Sequence, residues 1–173
     1  MLLKRWFVIL LLLLFLNLGC QDHPRENLIR AKIKRVVSGQ TIEVLVENRP
    51  YKLRLTGVNV PSVAQKPWGS NAKKFLIDTL MNQPTSSSLF LETDVTVTDK
   101  FGRLQGYVWL QDQLINEKLV EQGHAIVNLT YTDGRYDQKL LNAQNYARLM
   151  GKGIWNPQQP LKEFNSTSQT SSQ

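Results

Sequence analysis

The 173-residue chain carries 21 lysine and arginine side chains against 14 acidic ones, a formal net charge of +7. That length bounds it to one domain, and the basic excess favours polyanionic partners such as nucleic acid or anionic lipid head groups. The single cysteine, Cys20, excludes an internal disulfide, and with His23 and His124 isolated from each other the chain offers no zinc ligand set.

Lys4 and Arg5 precede the apolar run WFVILLLLLFL, Trp6 to Leu16, followed by NLGC ending at Cys20. The run is far shorter than the ~20 residues a spanning helix needs, and its charged start and the small Gly19 read as an export signal. The arrangement resembles a lipoprotein lipobox, with Asn17 standing where leucine is usual. A lipid on Cys20 would account for an odd cysteine in an exported chain; a free thiol beside an uncleaved membrane anchor is the other reading. The expected organisation is a signal peptide over 1–19, lipidated Cys20 and a polar tether over 20–27, a folded domain over 28–157 and a disordered tail over 158–173. The chain is thus expected to be exported and membrane-anchored in the cell envelope, as a monomer. Loss of residues 1–19 removes Lys4 and Arg5 and leaves a net charge of +5.

From Leu28 the pattern changes. Ile33, Val36 and Val37 belong to a first strand, and TIEVLVEN alternates Ile42, Val44 and Val46 with Glu43 and Glu47, the period of two of a half-buried strand. ENRP turns into YKLRLTG, which predicts a hairpin. PWGSNAKKFLIDTLMNQ predicts a helix, with Ser70 as N-cap and Phe75, Leu76, Thr79 and Leu80 at helical spacing. QPTSSS is a loop; LFLETDVTVTD and RLQGYVWLQ are strands joined through DKFGR. A short amphipathic helix in LINEKLVEQG, an extended AIVNLTY and a last helix over YDQKLLNAQNYARLMGKG follow. In that last helix Tyr136, Leu140, Ala143, Ala147 and Met150 form the apolar face and Gly151 or Gly153 the stop. Trp68 and Trp155 read as packing residues, and GKG at Lys152 lacks Walker spacing. Five strands interrupted by a helix, with about three helices in all, fit a mainly β, α+β fold: a small OB-type barrel. An open α+β sheet is the alternative by pattern alone.

The pieces VVSGQTIEV, LRLTGVNVPS, PWGSNAKKFL, DKFGRLQGYVWL, INEKLVEQGHA and AQNYARLMGKGIW stand in this order over about residues 30 to 156. Together they make the chain similar to the staphylococcal nuclease-like (thermonuclease) family. The resemblance implies an OB barrel that hydrolyses phosphodiesters with a bound calcium ion. In the family two arginines hold the phosphate, two aspartates and a threonine carbonyl hold the metal, and a glutamate is base for the attacking water. Phosphoryl transfer is mostly positioning and charge neutralisation, which guanidinium forks and a hard cation supply.

Carried over by position, the phosphate arginines fall on Arg54 and Arg103, both present. The metal aspartates fall on Gln40 and Asn59, the threonine on Val60 and the base on Ser62. Calcium demands oxygen ligands, preferably charged, and here only neutral ones remain, so no metal cofactor is expected. Ser62 is no base at neutral pH without a partner to activate it. Asp99 and Glu43 are the acids that could stand in for the lost base. Lys100, Phe101 and Tyr131 match family positions that flank the bound nucleotide, as cations and aromatic faces do in single-strand binders; Phe101 and Tyr131 could equally be packing at a barrel rim. The expectation is a domain that binds nucleic acid or another phosphate-bearing ligand at a basic site and cleaves it poorly or not at all. Two alternatives stay open: a working nuclease with a shifted base or metal, and an envelope interaction module in which the arginines are incidental.

Overall fold

The computed structural model describes residues 28–82, 89–130 and 132–164, with the side chains of 94–97 left aside. Cys20, the segments 1–27 and 165–173, the loop 83–88 and Tyr131 lie outside the described residues. Three antiparallel strands open the domain: β1 (Leu28–Ser38), β2 (Thr41–Val46) and β3 (Arg49–Leu55). Their core side chains Ile42, Val44, Leu53 and Leu55 are 0–1 % exposed, as the alternation in the sequence requires. The β2–β3 turn sits at Glu47 and Asn48, whose φ of 48° and 65° are left-handed. The turn is thus one step earlier than the proline suggests, and Pro50 already lies in β3.

A short β4 (Val58–Asn59) leads to α1 (Trp68–Leu80). Here the structure corrects the expected cap. Pro67 occupies the N-cap position, and the Ser70 hydroxyl, inside the first turn, donates back to the Pro67 carbonyl at 2.8 Å. The helix buries Gly69, Ala72, Leu76 and Leu80, and its docking depends on small residues. A Cβ on Gly69 would lie 2.0 Å from the Ser62 carbonyl oxygen, and one on Gly39 would lie 2.7 Å from both Ala72 Cβ and Val60 Cγ1. These contacts press α1 against the two stretches SGQT and NVPS that carry Gln40, Asn59 and Ser62.

Then come β5 (Leu89–Thr98), β6 (Leu104–Leu110), β7 (Gln113–Leu114), α2 (Ile115–Glu121), β8 (Ile126–Val127) and α3 (Asp137–Leu149), with a final 3-10 turn at Gly153–Trp155. The sheet runs β3-β2-β1-β5-β6, and a parallel pairing of β3 with β6, Leu53 to Leu104 and Leu55 to Gly106, closes it into a five-stranded OB-type barrel with three helices. The open-sheet alternative is thereby excluded. The last helix buries Leu140, Ala143, Gln144 and Ala147, whereas Met150 is its C-cap and 60 % exposed. The helix ends before the apolar face predicted from spacing would include it, and Gly151 and Gly153 follow with positive φ. The extended AIVNLTY segment contributes only the two-residue β8, paired with β4.

Inside the barrel wall Glu92, 2 % exposed, accepts from Trp109 Nε1 at 2.9 Å and Tyr136 Oη at 2.7 Å and is paired with Arg135. A buried carboxylate persists when its lone pairs are met in this way. His124 stacks on Phe75 with ring centroids 4.8 Å apart, and burial pushes its pKa down, so it is a packing residue. Residues 158–164 run back across the loop before α1, with Leu161 N donating to the Ile154 carbonyl and Gln65 Nε2 to that of Glu163.

Candidate functional site

Two turns build the site. The first follows β3, where register places Arg54 opposite Thr41 on β2 and opposite Gln105 on β6. The Arg54 guanidinium reaches over the β3–β4 turn: Nη1 donates to the carbonyls of Leu55 at 3.1 Å and Val58 at 3.0 Å, and Nη2 donates to Asn59 Oδ1 at 2.7 Å. A planar fork suits this task, fixing the side chain while one edge still faces the cavity. Burial first, and Arg103 second, push its pKa down to about 10, with Asp99 opposing. It stays a cation at neutral pH.

The second turn is DKFGR. Asp99 Oδ1 accepts from the backbone N–H of Phe101 at 2.9 Å and of Arg103 at 3.0 Å, and Gly102 takes the left-handed φ of 68°. Arg103 then closes on Asp99 Oδ2 through Nε and Nη2, both at 2.6 Å. Burial pushes the Asp99 carboxyl up, but its hydrogen bonds from Arg103 and Phe101 outweigh this and hold it below the ordinary carboxylate range. The Phe101 ring, 51 % exposed, has the Arg103 guanidinium 5.0 Å and Lys100 Nζ 5.2 Å from its centroid. An exposed aromatic face flanked by cations is costly to hydrate and well suited to a stacked, negatively charged ligand.

Arg54, Asn59, Lys100, Phe101 and Arg103 line one cavity of about 520 Å³, with Asp99, Gln105 and Asn128. That volume is within the usual ~300–1,000 Å³ of ligand pockets. Gln40, Val60 and Ser62 do not line it. Gln40 is 2 % exposed and its Oε1 accepts from the Val60 N–H at 2.9 Å; Val60 itself is core. Ser62 is half-buried outside the cavity, its carbonyl accepting from Gln65 N at 2.9 Å. Of the two stand-in acids, Glu43 is held by Lys34 at 2.7 Å and Arg35 at 2.6 Å, which keep its pKa low, and it does not line the cavity. Asp99 does line it.

The Gln40 and Asn59 oxygens are neutral and each accepts from a donor of the protein, whereas calcium prefers charged oxygen ligands. Gln105, Thr98, Thr56 and Asn128 were invisible as lining residues in the sequence because the β3–β6 closure and the Asn128 N to Gly57 carbonyl bond, 2.9 Å, are long-range.

If Asp99 lowers the positive potential of the cavity, Asp99→Asn should raise its affinity for a phosphate-bearing ligand several-fold. The amide oxygen can still accept from Phe101 and Arg103 N–H, so the turn is kept while a charge is lost. Titration with inorganic phosphate by calorimetry measures this, and unchanged or weaker binding would contradict it.

An α+β OB-type barrel with cationic and aromatic side chains gathered on one cavity beside its β3–β4 turn is the class this molecule defines. The chain belongs to the staphylococcal nuclease homologue family, whose model matches residues 52–157. It is 33% identical over 129 residues to a thermonuclease of Staphylococcus hyicus, covering 72% of this chain and 74% of that protein. A thermonuclease of Staphylococcus intermedius is 32% identical over 128 residues, covering 71% and 74%. An uncharacterized endonuclease of Escherichia coli is 29% identical over 140 residues, covering 77% and 81%.

Proposed function

We propose that this nuclease-family barrel binds a phosphate of single-stranded nucleic acid between Arg54 and Arg103 and is crippled as a hydrolase. It acts as a monomer outside the cytoplasm, at the periplasmic or extracellular face, held in the cell envelope by lipid on Cys20. The observation that carries the reading is the use made of the two neutral oxygens. Gln40 Oε1 serves the Val60 N–H and Asn59 Oδ1 serves Arg54, so the replacements act as internal struts for the arginine turn. Loss of a general base alone costs ~10² to 10⁴ in rate. Among the described residues Asp99 is the one acid on the cavity that could replace it, and a carboxylate whose pKa Arg103 holds low is a poor proton acceptor. The cavity keeps Arg54, Arg103 and Lys100 against Asp99, an excess of positive charge.

Binding of a fluorescein-labelled single strand to the full chain in neutral detergent tests this. Affinity should fall about tenfold in Arg54→Lys, which keeps the charge and loses the fork, and should weaken steeply with salt. Salt-insensitive binding, or an Arg54→Lys protein that binds as well as the parent, would sink the reading. Rapid cleavage of the strand with any divalent ion, abolished by Asp99→Asn, would instead establish a working nuclease with a shifted base. For the anchor, fatty-acid labelling should be lost in Cys20→Ser; retained labelling overturns that part alone.

A further inference from the structure

A second groove lies beyond the arginine cavity and has no part in the site above. The loop before α1 and the chain after the 3-10 turn face each other across about 640 Å³, lined by Gln65, Lys66, Trp68, Gln158, Leu161 and Lys162 among others. The chain crossing is fixed, since Gln65 Nε2 donates to the Glu163 carbonyl and Leu161 N to that of Ile154. Lys66 and Lys162 are exposed and make no ion pair among the described residues, while Trp68, half-buried, turns part of its surface to the groove. Glu163 is the one acid of the lining among the described residues, so these residues give the groove a net positive charge.

Its position bears on the first site. Asn59 lines the arginine cavity and Ala64 lines the groove, and the chain between them spans at most ~18 Å even when fully extended. A single OB barrel occupies ~4–16 nucleotides of strand, enough to reach from one to the other. An aromatic side chain in a groove that also carries cations can stack a base while its backbone is neutralised.

We propose that the groove of Trp68, Lys66 and Lys162 seats a further base of the same single strand, so that the barrel holds a segment of strand instead of one phosphate. This rests on the phosphate reading of the first cavity. A saccharide would also suit a tryptophan among glutamine amides. The two lysines and the cationic neighbouring cavity favour the strand.

The test compares a labelled oligothymidylate of about twelve nucleotides with the corresponding dinucleotide, both titrated by anisotropy against the full chain in neutral detergent. The long strand should bind at least tenfold tighter. Trp68→Ala should reduce its affinity about tenfold and leave the dinucleotide unchanged, with Trp68→Phe restoring most of the loss. If Trp68→Ala does not fold, the Lys66→Ala, Lys162→Ala double variant should show the same length-dependent loss. Equal affinity for the two lengths, or equal loss on both probes, overturns the inference while leaving the first cavity intact. Failure of Arg54→Lys to weaken the dinucleotide strikes the phosphate reading instead. Binding of a chito-oligosaccharide at Trp68 in preference to the long strand would make the groove a saccharide site and also overturn the proposal.

Discussion

Gln40→Asp, Asn59→Asp and Ser62→Glu introduced together are expected to raise calcium-dependent cleavage of DNA by the full chain at least ~10²-fold. The side chains explain why the two aspartates belong together. Gln40 reaches the Val60 N–H because it is one methylene longer than aspartate; an aspartate there withdraws and frees its charge. Asn59 already touches Arg54 Nη2 at 2.7 Å, so an aspartate there would pair with the guanidinium unless a cation competes for it. The new carboxylate at position 40 is costly by itself, since an unpaired buried charge must be neutralised or met. A bound divalent cation meets both aspartates at once.

The variant should therefore be less stable than the parent in chelator and gain several degrees in Tm when calcium is added, while the parent does not respond. Binding to the folded state alone produces such a shift by mass action. The rate and the melting shift are separate readouts. A parent that already cleaves as fast as the triple variant would refute the view of Gln40, Asn59 and Ser62 as lost acids. A variant whose Tm ignores calcium would show that the backbone at SGQT and NVPS can no longer form the ion site.

Much of the barrel was legible because its strands alternate and its turns carry their own chemistry. Ile42 and Val44 announce a buried face, and DKFGR states its turn through Asp99 and Gly102. The start of α1 was misread because proline is a weaker cue for an N-cap than serine, and only the approach of Gly69 to the Ser62 carbonyl reveals where the helix must begin. Met150 fits the period of α3 yet lies outside it, since periodicity does not encode where a helix stops. At the site, Arg54, Arg103, Lys100, Phe101 and Asn59 could be placed by position. What position could not supply was the partner of each. The engagement of Gln40 with Val60, of Asn59 with Arg54 and of Asp99 with Arg103 is long-range or rotamer-dependent. The lining by Gln105 follows from barrel closure, which joins distant parts of the chain.

Asn116→Ala is expected to cost ~3–5 kcal/mol of folding stability, a large part of the ~5–15 kcal/mol available to a domain of this size. Asn116 lies at the start of α2, 0 % exposed, and its side chain faces the closure of the barrel. Oδ1 accepts from Val108 N at 3.0 Å, and Nδ2 donates to the Thr56 carbonyl at 2.8 Å and more loosely to that of Gly106 at 3.4 Å. Thr56 N in turn donates to the Gly106 carbonyl at 2.9 Å, so one amide ties α2 to both strands of the parallel seam. Alanine leaves a buried N–H and a buried carbonyl without these bonds. Asn116→Asp should be worse, because the carboxylate keeps the bond from Val108 and turns a negative oxygen toward two carbonyls. The seam also sets the spacing of the two guanidinium groups, Arg54 at the end of β3 and Arg103 just before β6. At urea concentrations where Asn116→Ala remains folded, its affinity for phosphate should fall along with its stability. Urea unfolding followed by circular dichroism gives the first quantity and phosphate titration the second. A loss below ~1 kcal/mol would mean that the seam holds without Asn116.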